Sequence, residues 1–271
     1  MPTIAHISDL HLQSGVPERQ AQVEPIIEKI NEIKPDAVII SGDVTDDGWD
    51  SIEELKWAED WLGWKINATC WILPGNHDVG NFVNAAEGAI DLKRINHWDS
   101  VFGGDLDFEF DRWNLLGINS MRFGMTGSET KFDIYDIESF LYDCDGTNKW
   151  TAIFLHTPFF AESIDENDPA IDYWVGPKEP RQKLWSLINS CKSIKLIGSG
   201  HLHQTRLTEI DGVKIAWAPP ASGTWVHAPG LPNPPMPQQT GFFLHTLHDD
   251  GRVESELIEC APMLKLYEHK P

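Results

Sequence analysis

Asp9 and His11 lie two residues apart just after a short apolar run, and His201 and His203 repeat that spacing far along the chain. In an extended segment residues i and i+2 face the same side, so each pair can grip one ion. Between them come Gly42-Asp43, Gly75-Asn76-His77-Asp78 and His156, each again directly after an apolar run. Carboxylate, amide oxygen and imidazole without thiolate suit borderline divalent ions such as Mn, Fe, Zn or Co, not a soft copper site or an all-oxygen calcium cage. Asp9, His11, Asp43, Asn76, His156, His201 and His203 are too many ligands for one centre that must also bind water and substrate. Two metal ions sharing one carboxylate fit them better. A single histidine is most often a hydrogen-bonded core or surface residue, but an ordered set in which every member follows a strand is not explained that way. His6, His97, His227, His245, His248 and His269 fall outside the set and are read as structural, with only His227 in a loop able to overhang the site.

The elements that must carry these residues follow from periodicity. Residues 3–8 read as a strand, and Val23, Ile26, Ile27, Ile30 and Ile33 recur at helical spacing over 17–33, where Pro35 and Asp36 end the helix. Residues 36–40 form a buried strand. Ser51 with Glu54 is a capping-box signature for a helix through Leu62, and 69–73 form a third strand. This β-α-β-α-β order favours parallel strands covered by helices. Residues 105–120 read as a hairpin that continues a sheet by antiparallel addition; 151–155 and 194–198 are short buried runs, with a helix near 179–190 between them. Residues 241–259 read as strand, Asp-Asp-Gly turn and strand. Together these predict an α/β fold, a four-layer α-β-β-α sandwich of two mixed sheets. Ligands in such sheets bind at the carboxyl ends of strands, where all the candidate residues fall. The glycines before Asp43, Asn76 and His201 are expected to permit sharp backbone turns. Residues 229–237 hold five prolines and read as an ordered surface traverse. The expectation is a single domain over 1–271, with 229–271 as a C-terminal loop and hairpin extension.

Composition narrows the partners. A net charge of −21 argues against a nucleic-acid polymer or an anionic membrane as partner. Cys70, Cys144, Cys191 and Cys260 are widely spaced and expected to be reduced. MPTIAHISDLH lacks the basic region of a secretory signal and no apolar stretch is long enough to span a bilayer, so a soluble, cytoplasmic protein is expected. Between 43 and 60 eight acidic residues face one basic residue, which favours a small monoanionic diester, although a solvated helix face also accounts for them.

The blocks SDLH (8–11), SGDVTD (41–46), LPGNHD (73–78), LHTP (155–158) and GSGHLHQT (198–205) resemble those of the calcineurin-like metallophosphoesterase superfamily over about residues 3–225. Within it, their order and the chain length resemble bacterial class III cyclic-nucleotide phosphodiesterases and their glycerophosphodiesterase relatives. The resemblance implies one metal held by Asp9, His11, Asp43 and His203, and a second held by Asp43, Asn76, His156 and His201. It also implies a water or hydroxide nucleophile, His77 facing the substrate phosphate as its stabiliser and proton donor, and frequent dimerisation, so a homodimer is expected. Asp78 is read as structural or as orienting a neighbour. Thr157 stands where such relatives commonly carry a second histidine, a change expected to bear on phosphate contact or leaving-group preference and not on the metals. The segment SIDENDPAIDYW (163–174) resembles no phosphate clamp, and Trp225 is open to both purine stacking and simple packing.

The expected activity is dinuclear-metal-dependent hydrolysis of a small phosphodiester, foremost a 3′,5′-cyclic nucleotide of cAMP type, to a nucleoside monophosphate. Glycerophosphodiesterase, nucleotide pyrophosphatase and phosphomonoesterase are the enzyme alternatives. A non-catalytic, protein-binding scaffold of the same fold is the alternative of a different class, opposed by the presence of every candidate ligand and of His77.

Overall fold

The computed structural model describes residues 1–82, 88–104, 106–110, 112–125, 138, 141, 147–165, 171–223 and 239–261. Strands β1 (Thr3–Ile7), β2 (Ala37–Ile40) and β3 (Cys70–Ile72) are parallel, joined through helices α1 (Pro17–Ile33) and α2 (Ile52–Lys65). Helix α1 ends where Lys34 turns left-handed, φ 57°, and returns its N–H to the Ile30 carbonyl just ahead of Pro35. At the start of α2 the Ser51 hydroxyl accepts the Glu54 N–H at 3.4 Å. The expected capping box is half formed, because the Glu54 carboxylate accepts the Ser14 N–H at 2.8 Å and ties the helix to the loop after β1.

Two sheets form. The first runs β11-β10-β1-β2-β3, with β10 (Thr240–Leu247) antiparallel to β1 and β11 (Val253–Ala261) antiparallel to β10, so the expected C-terminal hairpin is part of this sheet. The second runs β4-β5-β6-β7-β9-β8, from β4 (Leu106–Phe110), β5 (Trp113–Ile118), β6 (Trp150–Leu155), β7 (Ile194–Ser199), β8 (Arg206–Ile210) and β9 (Val213–Trp217). Strands β5, β6, β7 and β9 are mutually parallel, and β4 and β8 are antiparallel edges. The β4–β5 hairpin therefore opens the second sheet and does not extend the first. All of β5 is buried, which requires β6 beside it and cover on both faces.

Alternation along the strands sets the layers. Ile4 and Ile39 of the first sheet share a cluster with Leu115, Phe154 and Leu196 of the second, the core between the sheets. Their neighbours Ala5, Ile7, Val38 and Ile40 point the other way, into a cluster with Val23, Ile26 and Ile30 of α1 and Leu55, Ala58 and Leu62 of α2. Ile153 and Ile197 likewise join Leu184 and Ile188 of a later helix, Lys178–Ser190. The result is the expected pair of mixed sheets flanked by helices. Helices Asn76–Val79 (α3), Leu92–Phe102 (α4) and Asp172–Val175 (α5) precede Lys178–Ser190, which is therefore α6, and Ser120–Gly124 is a 3-10 helix. No helix among the described residues is long and apolar enough to cross a membrane. Cys70, Cys191 and Cys260 are free thiols. Cys144, Trp225, His227, the prolines of 229–237 and the tail from 262 lie outside the described residues.

Candidate metal centre

The carboxyl ends of β1, β2, β3, β6 and β7 meet at one edge of the sandwich. Asp9, His11, Asp43 and His203 each offer a donor atom within 4.8 Å of the others, and Asp43, His156 and His201 form a second such group. Asp43 belongs to both. Asn76 joins the second through Oδ1, 3.2 Å from His156 Nε2. Every sequence-identified ligand is thus in one place, and all are buried. The loops that carry them are laced together: Asp9 N–H donates to the Gly42 carbonyl and His11 N–H to the Asp43 carbonyl, both at 3.0 Å, and His201 N–H donates to the Asp9 carboxylate at 3.1 Å.

Of the glycines expected to turn the chain, only Gly42 has a positive φ, 102°. Gly75 and Gly200 are needed for close approach: a Cβ on Gly75 would stand 2.8 Å from Asp43 Cγ, and one on Gly200 2.7 Å from Asp9 Oδ2. The left-handed backbone is carried by the candidate ligands themselves, Asp9 (φ 56°), His11 (45°), Asp43 (50°), His201 (70°) and His203 (49°). A non-glycine residue there costs on the order of 1 kcal/mol, so five of them in one site mark strain that the surrounding fold must offset.

Each imidazole is oriented by an oxygen acceptor. His11 Nδ1 donates to Asp46 Oδ1 (3.2 Å), His203 Nδ1 to the Gly223 carbonyl (2.7 Å), His156 Nδ1 to the Ser41 carbonyl (2.8 Å) and His201 Nε2 to the Tyr173 carbonyl (3.1 Å). The remaining ring nitrogen is left for the cluster, the usual way in which the outer partners of a metal site select a tautomer. With both Nδ1 atoms donating outward, the Nε2 lone pairs of His11 and His203 confront each other at 3.0 Å, an arrangement that calls for a cation. The donor set therefore fits divalent metal ions.

Electrostatics agree. Burial opposes the Asp43 charge, but His156, His77 and His11 around it hold its carboxyl well below the ordinary range. Burial lowers His201 to about 3, aided by the neighbouring His156 charge, and lowers His203 to about 4. Both imidazoles are neutral at neutral pH. His156 is the exception: burial opposes its charge, yet the Asp43 carboxylate raises it to about 9. A proton occupies that nitrogen until a metal displaces it, so loading should release a proton.

His77 is only partly buried, its N–H donates to Asp43 Oδ1 at 2.9 Å, and its Nδ1 donates to the Asp46 carbonyl at 2.8 Å. Sequence reasoning missed Asp46, although it stands in the SGDVTD block. It orients both His11 and His77 and is gripped by Arg19 at 2.8 and 2.7 Å. The acceptors Ser41, Tyr173 and Gly223 act through backbone carbonyls, which no residue type announces. Asp78 is structural: its carboxylate accepts the N–H groups of Val44 (3.1 Å), Thr45 (2.9 Å) and Gly75 (2.9 Å) and the Thr45 hydroxyl (2.8 Å). Thr157 turns away from the cluster, its hydroxyl donating to Met121 Sδ at 3.6 Å and its N–H to Ser120 Oγ at 3.0 Å.

A family model described as Calcineurin-like phosphoesterase matches residues 2–205. A probable cyclic nucleotide phosphodiesterase of Vesicomyosocius okutanii is 26% identical over 251 residues, 92% of either chain. A 3′,5′-cyclic-nucleotide phosphodiesterase of Nostoc is 28% identical over 214 residues, 74% of this chain and 71% of the relative. Among solved structures, a dimetal phosphatase from Danio rerio superposes with a TM-score of 0.62 at 13% identity, covering 96% of this chain and 100% of that one.

Proposed function

The chain belongs to the calcineurin-like phosphoesterase family, and from that premise we propose that it hydrolyses a small phosphodiester, foremost a 3′,5′-cyclic nucleotide, to the monophosphate. The observation that carries this reading is the convergence of two donor groups on a shared, charged Asp43. The two bacterial relatives, one a probable cyclic nucleotide phosphodiesterase and one a 3′,5′-cyclic-nucleotide phosphodiesterase, support the diester and the nucleotide.

In this reading Asp9, His11, Asp43 and His203 hold one metal, and Asp43, Asn76, His156 and His201 the other. Two such ions, whether Mn, Fe, Zn or Co, supply Lewis acidity and lower the pKa of water toward neutrality. The chain's own residues do the rest. Asp43, placed between the groups, sets their separation, and the carbonyls of Ser41, Tyr173 and Gly223 hold the imidazoles so that no reorganisation is needed as charge develops. His77 holds a proton at Nε2 over the substrate side, its ring fixed through Nδ1 by the Asp46 carbonyl, and passes that proton to the departing alkoxide. A small substrate suits the strongly acidic surface, which repels polyanions.

The test compares Mn-loaded protein on bis(p-nitrophenyl) phosphate and on p-nitrophenyl phosphate, with a metal-free control, for wild type and His77→Ala. Metal-dependent preference for the diester is expected, and His77→Ala should keep its metals while losing roughly 10²–10⁴-fold in turnover. Monoester preference would move the protein to phosphatase chemistry, and unchanged turnover in the variant would remove His77 from proton transfer.

A further inference from the structure

Helix α5 touches the candidate centre in two ways. Its Tyr173 carbonyl accepts the His201 Nε2–H at 3.1 Å, and the rings of Tyr173 and Trp174 stand 5.9 and 5.8 Å from the His201 imidazole. The two rings meet edge to face, with centroids 4.6 Å apart. The helix is firmly placed. Its last turn closes with Gly176 N–H on the Asp172 carbonyl at 3.0 Å, and Trp174 packs against Ala161, Ile171 and Val175. The buried Arg181 guanidinium lies 4.0 Å from Asp172 and donates to the Phe159 carbonyl at 3.2 Å, joining the helix to the loop after β6. Both aromatic side chains keep partial solvent exposure.

We infer that Tyr173 and Trp174 form the wall on which the planar base of a nucleotide substrate stacks. This rests on the reading above, in which a small phosphodiester is hydrolysed at the paired donor groups, one of which includes His201. The base is tethered to that phosphate through the ribose, so its stacking surface must stand a few ångströms beyond a metal ligand, where these rings are. An aromatic face stacks on any base without reading its edge, and loss of such a face typically weakens binding by roughly 5- to 100-fold. Residues 163–174 carry four acidic side chains and no basic one, a composition that disfavours a second phosphate and suits the uncharged end of a mononucleotide over a polynucleotide. Tyr173 and Trp174, at the end of the segment that resembles no phosphate clamp, thus acquire a role as a base platform.

Calorimetric binding of 5′-AMP and of ribose 5-phosphate to the Mn-loaded protein separates the wall from the phosphate site. Wild type is expected to prefer AMP by roughly 10-fold. Trp174→Leu should lose most of that preference with ribose 5-phosphate affinity unchanged, and Trp174→Phe, which keeps a ring in the same packing, should retain most of it. Equal wild-type affinity for the two ligands, or an undiminished preference in both Trp174→Leu and Tyr173→Leu, overturns the inference. So does an equal loss for both ligands in Trp174→Leu that Trp174→Phe does not restore. Failure of the underlying reading has a separate signature, the absence of metal-dependent diester hydrolysis by wild type.

Discussion

His6 and His245 lie inside the sandwich, away from the candidate centre, and make stability depend on pH in a direction that can be worked out. His6 Nε2 is 2.9 Å from Ser41 Oγ, its Nδ1 is 3.4 Å from His245 Nε2, and the Phe154 ring meets it edge-on at 5.2 Å. Both histidines are fully buried, and burial lowers His6 from 6.5 to about 3. In the unfolded chain His6 gains a proton as pH falls through 6.5, while the folded protein refuses it until about pH 3. The unfolded state therefore binds more protons across this window, and stability falls as the solution is acidified. At pH 5 the one-proton linkage amounts to about 2 kcal/mol, rising to about 4 kcal/mol near pH 3. His6→Gln removes the titration and keeps an amide near Ser41. Urea unfolding of both proteins at pH 7 and pH 5, at the same saturating Mn concentration, yields a difference of differences from which the fixed cost of the substitution cancels. The variant should lose about 2 kcal/mol less than wild type on going to pH 5. Equal losses, to within about 0.5 kcal/mol, would show that His6 titrates normally in the fold and would refute the reasoning.

Asp43→Asn weakens both donor groups at once, so metal content by elemental analysis should fall at both sites; full occupancy of both would count against Asp43 as the shared ligand. Gly200→Ala places a methyl group on Ser8 and 2.7 Å from Asp9 Oδ2, and Mn affinity should drop at least about 10-fold in a fluorescence-detected titration as Asp9 is displaced. Ser51→Ala strips the hydroxyl that caps α2, costing about 1 kcal/mol and lowering Tm by about 2 °C in a calorimetric scan, with turnover unchanged.

Much of the fold was legible because its signals are local. The 3–4 spacing of Val23, Ile26, Ile27 and Ile30 marks α1, whose residues it buries, and Ser51 marks the start of α2. The β4–β5 hairpin was legible as a hairpin and misplaced as to its sheet, since turn grammar specifies a strand's sequence neighbour and says nothing of its partner on the far side. The β8–β9 hairpin and α4 went unread. Strand β8 alternates between partly buried and exposed residues, so its apolar signal is weak. In the centre, the glycines were expected to serve dihedral freedom, yet Gly75 and Gly200 serve proximity, a demand that arises only when two loops are pressed together. The outward partners of His156, His201 and His203 are main-chain carbonyls, identical in every residue and so silent in the sequence.

By itself the sequence determined which side chains can ligate and that each follows a strand, because residue type and hydrophobic period are properties of a few adjacent positions. Tertiary structure alone decided that the candidate ligands bear the left-handed strain, that Asp46 aligns His11 with His77, and that Tyr173 and Trp174 border the second group. Those facts depend on distances between loops as many as 194 residues apart, as between Asp9 and His203, and such distances are set by how the two sheets pack.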